Sequence, residues 1–219
     1  KCNVSTMFAY TEIPDQREVM SLRELAESED LKSMVFIDIG ANIGSYSVSM
    51  MDVCKEVIAF EPHPYTANRC KMNYLLNNVS EKKVYQLALS NEIGRMYFSD
   101  YGNSSTVNHI SNDKNGIEVE VTTLDSFVVK NKLSKKEKYI LKVDVEGFER
   151  QVFEGGKEFL VNYDVKGIIF ECFSQDDVFV LLKKYGYENI KKISENNYLA
   201  TKCLMDRVVE ISKKGLYLD

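Results

Sequence analysis

Four carboxylates fall where short apolar runs end: Asp38 in MVFIDIG, Glu61 after VIAF, Asp144 after YILKV and Glu171 in GIIFECF. If those runs are neighbouring parallel strands, the four side chains meet along one sheet edge. Open α/β sheets bind their ligands at that edge. Each carboxylate alone has a plain reading as a loop residue or helix cap. Four arriving from separate parts of the chain point instead to a crevice that holds something. Between the first two lies Gly40-Ala41-Asn42-Ile43-Gly44. Glycine at a strand-to-helix turn permits positive φ and lets a ligand come close to the backbone.

The spacing of that loop narrows the ligand. A dinucleotide site favours GxGxxG, whose middle glycine makes room for a pyrophosphate at a helix N-terminus. Here the middle position is Asn42 and the pattern is Asp-x-Gly-x-x-x-Gly, which suits an adenosine ligand without phosphates, such as S-adenosylmethionine. A carboxylate at the end of the next strand, Glu61, can accept hydrogen bonds from both ribose hydroxyls of such a donor, or of NAD. Methyl transfer from a sulfonium needs acceptor, methyl carbon and sulfur held in line. An alcohol acceptor must also lose a proton.

The candidates for that proton are few. In Asp144-Val145-Glu146-Gly147, residues two apart in an extended chain face the same side, so Asp144 and Glu146 can both address the crevice. They can serve as general base, hold the donor's amino group, or bind a divalent metal with Glu171. Donor or substrate binding by Asp144 is the favoured reading, and a metal is not. Glu146 alternatively satisfies backbone donors at the start of the next helix. Two histidines exist, His63 in the turn after Glu61 and His109 in the polar stretch 100–116. His109 joins Asp144 and Glu146 as a catalytic candidate because its loop can fold over a substrate; an exposed loop residue is the plain alternative. Asp125, in TTLDSF, reads as a helix-start residue.

The elements that must position these groups alternate short apolar runs with amphipathic ones, the pattern of a doubly wound α/β sheet. Helices are expected over 15–31, 44–53, from Pro64 to Leu76, and over 124–130, 147–161 and 175–185. Strands are expected at Met34–Ile39, Val57–Phe60, Lys83–Leu89, Tyr139–Val145, Gly167–Phe173, Tyr187–Ile193 and Asn197–Cys203. Arg95–Ser99 and Ile117–Thr122 read as an added antiparallel pair. Residues 1–33 read as a helical segment packed on a core domain spanning 34–219.

With those motifs in order, FIDIGANIGSYS, AFEPHP, LALSNEIGRMYF, VTTLDSF and LKVDVEGFERQVFEGG, the chain resembles the FkbM-family methyltransferases from about Phe36 to Glu171. The resemblance implies a class I methyltransferase fold, with sheet order 3-2-1-4-5-7-6 and an antiparallel seventh strand. It also implies O-methylation. By motif, Asp38, Gly40, Ala41, Asn42 and Gly44 would line the methionine end of the donor and Glu61 would hold the ribose. Pro62 and the Leu87-Ala88-Leu89 segment would flank the adenine.

Composition sets the remaining bounds. The 219 residues, 44% hydrophobic, suffice for one complete core, and the net charge of −5 gives no reason to expect a nucleic-acid partner. No apolar run approaches the roughly 20 residues that span a bilayer. Five scattered cysteines without CxxC spacing read as reduced, mostly buried thiols of a cytoplasmic protein. The expected activity is methylation of a hydroxyl on a small molecule, sugar or glycan. The rivals are a nicotinamide-dependent oxidoreductase, which Asn42 and the lack of a suitably placed Tyr-x-x-x-Lys pair argue against, and a non-catalytic module that only binds the adenosyl ligand. Acceptor identity and oligomeric state have no readable code.

Overall fold

A computed structural model of the protein describes residues 15–27, 34–98, 110–111, 116–173 and 175–202. His109 and most of the 100–116 stretch lie outside the described residues. In chain order the elements are α1 (Gln16–Glu27), β1 (Met34–Ile39), α2 (Ser45–Met50), β2 (Glu56–Phe60), α3 (Pro64–Leu76), β3 (Val84–Tyr85), β4 (Ala88–Leu89), β5 (Gly94–Phe98) and β6 (Ile110–Ser111). They continue with β7 (Ile117–Thr122), α4 (Leu124–Lys130), β8 (Lys138–Val143), α5 (Glu149–Gly155), α6 (Lys157–Asn162), β9 (Asp164–Glu171), α7 (Gln175–Lys184), β10 (Asn189–Lys192) and β11 (Asn197–Thr201).

Seven strands form the main sheet in the order β3-β2-β1-β8-β9-β11-β10. Strands β1, β2, β3, β8 and β9 run parallel, and β11 lies antiparallel to both of its neighbours. This is the class I methyltransferase order 3-2-1-4-5-7-6. The chain winds outward from β1 to β3 and then crosses back to β8, so the strand order reverses between the ends of β1 and β8. A crevice opens at such a switch point.

Both faces of the sheet are covered, which is why the central strands read as unbroken apolar runs. Every residue of β1 is buried. Ile37, Ile39, Leu141, Val143 and Phe170 pack under Phe127, Phe153 and Leu182 from α4, α5 and α7. Met34, Phe36, Ile140 and Ile169 face the other way, against Leu22 and Ala26 of α1 and Cys70 and Tyr74 of α3. Among the described residues, no helix is long and apolar enough to cross a membrane.

Two expectations about elements are corrected. The run Lys83–Leu89 is not one strand: only Val84–Tyr85 pairs with β2. The Leu87 amide then donates to the Tyr85 carbonyl at 2.9 Å, turning the chain. Ala88–Leu89 consequently joins β7 in a second, four-stranded sheet, alongside the expected antiparallel β5–β7 pair. The helix expected over 147–161 begins at Glu149 and breaks at Gly155-Gly156, where the backbone passes so close to the Ser90 carbonyl oxygen that a Cβ on Gly155 would lie 1.9 Å from it.

The Asp125 carboxylate closes that break from α4. It accepts the Glu158 and Phe159 amides at 3.0 and 2.8 Å, satisfying two donors in the first turn of α6. Replacing Asp125 by Ala is expected to cost about 1 kcal/mol, the worth of a lost helix cap. Urea unfolding checks this as a lower midpoint at unchanged slope.

Candidate active site

The parallel strands deliver the four carboxylates to one edge, though not to one role. Asp38 is 1% exposed, and its Oδ2 accepts the Ser47 amide at 3.0 Å and the Ser47 hydroxyl at 2.6 Å. It therefore occupies the N-terminus of α2 and ties the glycine loop to β1. Burial pushes its carboxyl up to about 6 against the pull of Ser47 and Lys142.

Glycine is required at both ends of that loop. Gly40 has φ +77, and a Cβ there would sit 1.8 Å from the Asp144 carbonyl oxygen. Gly44 has φ +84, and its Cβ would meet Cys70 Sγ of α3 at 2.7 Å. The Gly40 and Ala41 amides donate to Phe60 O at 3.0 and 2.9 Å, and the Asp144 amide donates to Ile39 O at 2.9 Å. Asn73 of α3, fully buried, donates from its Nδ2 to Ile43 O at 2.8 Å. The loop is thus gripped by three strands and one helix. Asn42, at φ +52, adopts a left-handed conformation that asparagine tolerates better than most residues.

Glu61 follows β2 directly and is buried. Its Oε2 accepts the Asn42 amide at 2.9 Å, and its Oε1 accepts the His63 amide at 2.9 Å. Each carboxylate oxygen keeps further acceptor capacity after one such bond. Desolvation pushes the Glu61 carboxyl up to about 7, despite the two amides that favour its charge. Pro62 is buried beside it. His63 caps α3, its Nδ1 taking the Thr66 amide at 3.4 Å. Ala88 is buried with Phe98, Val119 and Val121 in the small sheet.

Across the switch point, Asp144 leaves β8 half-buried, and Glu146 is exposed with φ +52. Carboxylate oxygens of Asp144, Glu146 and Glu171 all lie within 4.8 Å of one another, so the structure brings together the group expected at this edge. Burial first, then the charges of Asp144 and Glu146, pushes the Glu171 carboxyl up to about 8. An oxygen set of this kind suits a hard divalent cation by its chemistry. It suits equally a cationic amine or a proton in transit.

Three residues that the sequence reading passed over matter here. Glu149 takes the backbone donors assigned above to Glu146: its Oε1 accepts the Val145 and Gly147 amides at 3.2 and 3.3 Å. Lys142 lies in β8, 1% exposed, with Nζ 2.9 Å from Asp144 Oδ2. Glu18 of α1 is 2% exposed and lies 3.7 Å from the same Nζ. The signal for Lys142 was present, a charged residue inside an otherwise apolar strand run.

The fit to an adenosyl ligand follows from these contacts. A pyrophosphate needs free amides at the helix N-terminus. Here Asp38 already occupies that end of α2, Glu61 takes the Asn42 amide, and both carboxyls would meet a phosphate with like charge when ionised. An adenosine sugar, which brings hydroxyl donors, matches the acceptor capacity of Glu61.

Comparisons with known proteins agree with the fold and the loop. A sequence profile of the Methyltransferase FkbM domain matches residues 38–188. "Methyltransferase 1" of Beauveria bassiana is 29% identical over 142 residues, covering 54% of this chain and 57% of that protein. The 2-O-methyltransferase NoeI of Sinorhizobium fredii is 27% identical over 164 residues, covering 66% and 63%. The matches thus span less than two thirds of the length of either curated relative. Among solved structures, magnesium protoporphyrin IX methyltransferase from Synechocystis, with bound S-adenosylmethionine, superposes with TM-score 0.50 at 12% identity, over 86% of this chain and 79% of that one. Precorrin-8w decarboxylase from Methanobacterium thermoautotrophicum gives 0.50 at 13% identity, over 88% and 93%. At such identity these likenesses carry the fold alone. The profile match begins at Asp38 and runs through the glycine loop, Glu61 and the β8–β9 carboxylates, and the chain belongs to the FkbM methyltransferase-domain family.

Proposed function

We propose that the protein is an S-adenosylmethionine-dependent O-methyltransferase acting on a hydroxyl of a small molecule, sugar or glycan. The observation that carries this reading is the buried Glu61 carboxylate bound to the Asn42 amide, beside a helix N-terminus already filled by Asp38. That arrangement favours a ribose over a pyrophosphate, and so disfavours a nicotinamide dinucleotide. A 2-O-methyltransferase among the curated relatives supports a hydroxyl as acceptor. The net charge of −5 supports an acceptor other than nucleic acid. Buried or half-buried thiols such as Cys54 and Cys70, which form no disulfide among the described residues, support a reducing compartment, the cytoplasm, as its place of work.

The donor supplies a methyl carbon already activated on a sulfonium. Glu61 accepts from the ribose hydroxyls, with Pro62 and Ala88 on the adenine side. Gly40, Ala41, Asn42 and Gly44 line the methionine end, with Asp38 holding their loop in shape. Asp144 receives the donor's ammonium group. The Asp144–Glu146–Glu171 cluster takes the acceptor hydroxyl's proton as the oxygen attacks, and Glu171, poised near neutral pH, is the member best matched to that task. No step is assigned to a metal.

The test is calorimetric titration of the protein with S-adenosylhomocysteine and with NAD across pH 5.5–8.5. Binding of the first and not the second is expected. A reversed preference would exclude the methyltransferase reading. Transfer of labelled methyl to at least one hydroxyl acceptor then separates an enzyme from a non-catalytic binder.

The same titration carries a pH prediction. The Glu61 carboxyl is raised from 4.5 to about 7 in the fold. Its contribution to apo stability is therefore complete below 4.5 and is lost as pH rises through 7. Ribose hydroxyls donate to the ionised form, so ligand affinity moves the other way. It should rise with pH and level off above about 7, with a proton released on binding below that point. Glu61→Gln should flatten this limb. An unchanged limb in that variant would assign the dependence to another group.

A further inference from the structure

We infer that Lys142 and Glu18 form a buried charge pair that positions the Asp144 carboxylate for the donor's ammonium group, making α1 a working part of the site. This rests on the donor-crevice reading above and extends it to residues beyond the matched domain, since Glu18 and its partner Ser194 both fall outside 38–188.

The burial of Lys142 is unusual for a charged residue. Lys142 stands one residue before the end of β8, in register with Asp38 on β1 and Ile169 on β9, and shares with Ile140 the face that α1 covers. Its side chain is 1% exposed. Burying an ammonium is expensive, and a hydrophobic residue of similar volume serves the core as well or better. The charge is held where it is by specific partners. Nζ lies 2.9 Å from Asp144 Oδ2, 3.7 Å from Glu18 Oε2 and 4.8 Å from the centre of the Tyr46 ring.

Glu18 is fixed in turn. Its Oε2 accepts the Tyr46 hydroxyl at 2.7 Å, and its Oε1 accepts the Ser194 hydroxyl at 2.6 Å. One helix, the α2 segment behind the glycine loop and the turn before β11 therefore converge on one ammonium. Glu18 and Lys142 are sealed from solvent, so Asp144, a third exposed, is the member of this network that faces the crevice, beside the carboxylates of Glu146 and Glu171. The shape of the network is that of a fixed seat for one cation at the methionine end.

Lys142 and Glu18 touch no donor atom in this account and act through Asp144, which makes them positioning residues. Two ligands separate that role from a merely structural one. S-Adenosylhomocysteine carries the amino-acid end, and 5′-methylthioadenosine lacks it while sharing the adenosine grip on Glu61. Wild type should bind both in calorimetry. Glu18→Gln keeps a side chain able to bond Tyr46 and Ser194 but releases Lys142 to neutralise Asp144. It should weaken S-adenosylhomocysteine by about tenfold, the scale of one charge-assisted contact, and leave methylthioadenosine within about twofold.

Lys142→Met should show the same selective loss, because it removes the Nζ that holds Asp144 Oδ2 in place at 2.9 Å. Where burial of an uncompensated Glu18 prevents that variant from folding, the Glu18→Gln/Lys142→Met double variant takes its place with the same expectation. In an Asp144→Asn background, further change at Lys142 should alter S-adenosylhomocysteine binding no more, since residues acting through one group are not additive. Equal weakening of both ligands, no weakening of either, or additive losses with Asp144→Asn would overturn the proposal. Failure of wild type to bind either ligand would instead overturn the donor-crevice reading on which it rests.

Discussion

Glu61→Ala is expected to abolish measurable binding of S-adenosylhomocysteine while the protein remains folded. Hydrogen bonds to a charged group contribute about 1.5–3 kcal/mol each. Loss of two ribose hydroxyl contacts should therefore weaken affinity by about a hundredfold or more. The substitution also strips the Asn42 and His63 amides of their acceptor, so some loss of stability will accompany it. Glu61→Gln controls for this, because the amide oxygen still serves one of the two donors. A ligand affinity near wild type in Glu61→Ala, measured by calorimetry on protein with a native melting transition, would remove the ribose assignment.

Gly40→Ala should be the most damaging glycine-to-alanine substitution among the described residues. Left-handed φ costs an L-residue about 1–2 kcal/mol on its own. At Gly40 the added methyl would also lie 1.8 Å from the Asp144 carbonyl oxygen, and that strand end cannot retreat without breaking the Asp144 amide bond to Ile39. Gly147 supplies the comparison, with φ +96 but nothing within 4 Å of a built Cβ. Gly147→Ala should therefore lose only that backbone cost, about 1–2 kcal/mol. Gly40→Ala should lose several times that in urea unfolding, and with it the ability to bind donor. Equal stability of the two variants would contradict the close approach of β1 and β8.

These outcomes depend on features the sequence revealed unevenly. Central parallel strands announce themselves as apolar runs because both of their faces are buried, so Met34–Ile39 and the end of β2 were legible, and with them the loop and Glu61. The same logic concealed the turn at Leu87, where apolar letters continue although the chain leaves one sheet for another. Met72 and Leu75 of α3 illustrate the converse: both are apolar, yet each is about half exposed, while Tyr74 between them is fully buried. Long-range polar pairing had no local signature. Glu18 meets Ser194 across 176 positions, and neither residue type is unusual where it stands. Glu146 and Glu149 could not be told apart either, because which carboxylate turns back to a loop's amides depends on the left-handed turn at Glu146 and Gly147. The polar stretch holding His109 lies outside the described residues, so its catalytic candidacy stands as a sequence expectation.

The crevice between the ends of β1 and β8 is expected to grip a phosphate-free adenosyl ligand through its sugar. A crystal structure with S-adenosylhomocysteine bound tests it most directly. Both ribose hydroxyls should lie at hydrogen-bond distance from Glu61, about 2.5–3.0 Å, with the amino-acid end beside Asp144 and the glycine loop unmoved. A ligand seated elsewhere, or a groove filled by the protein's own side chains with Glu61 facing no sugar, would contradict the account.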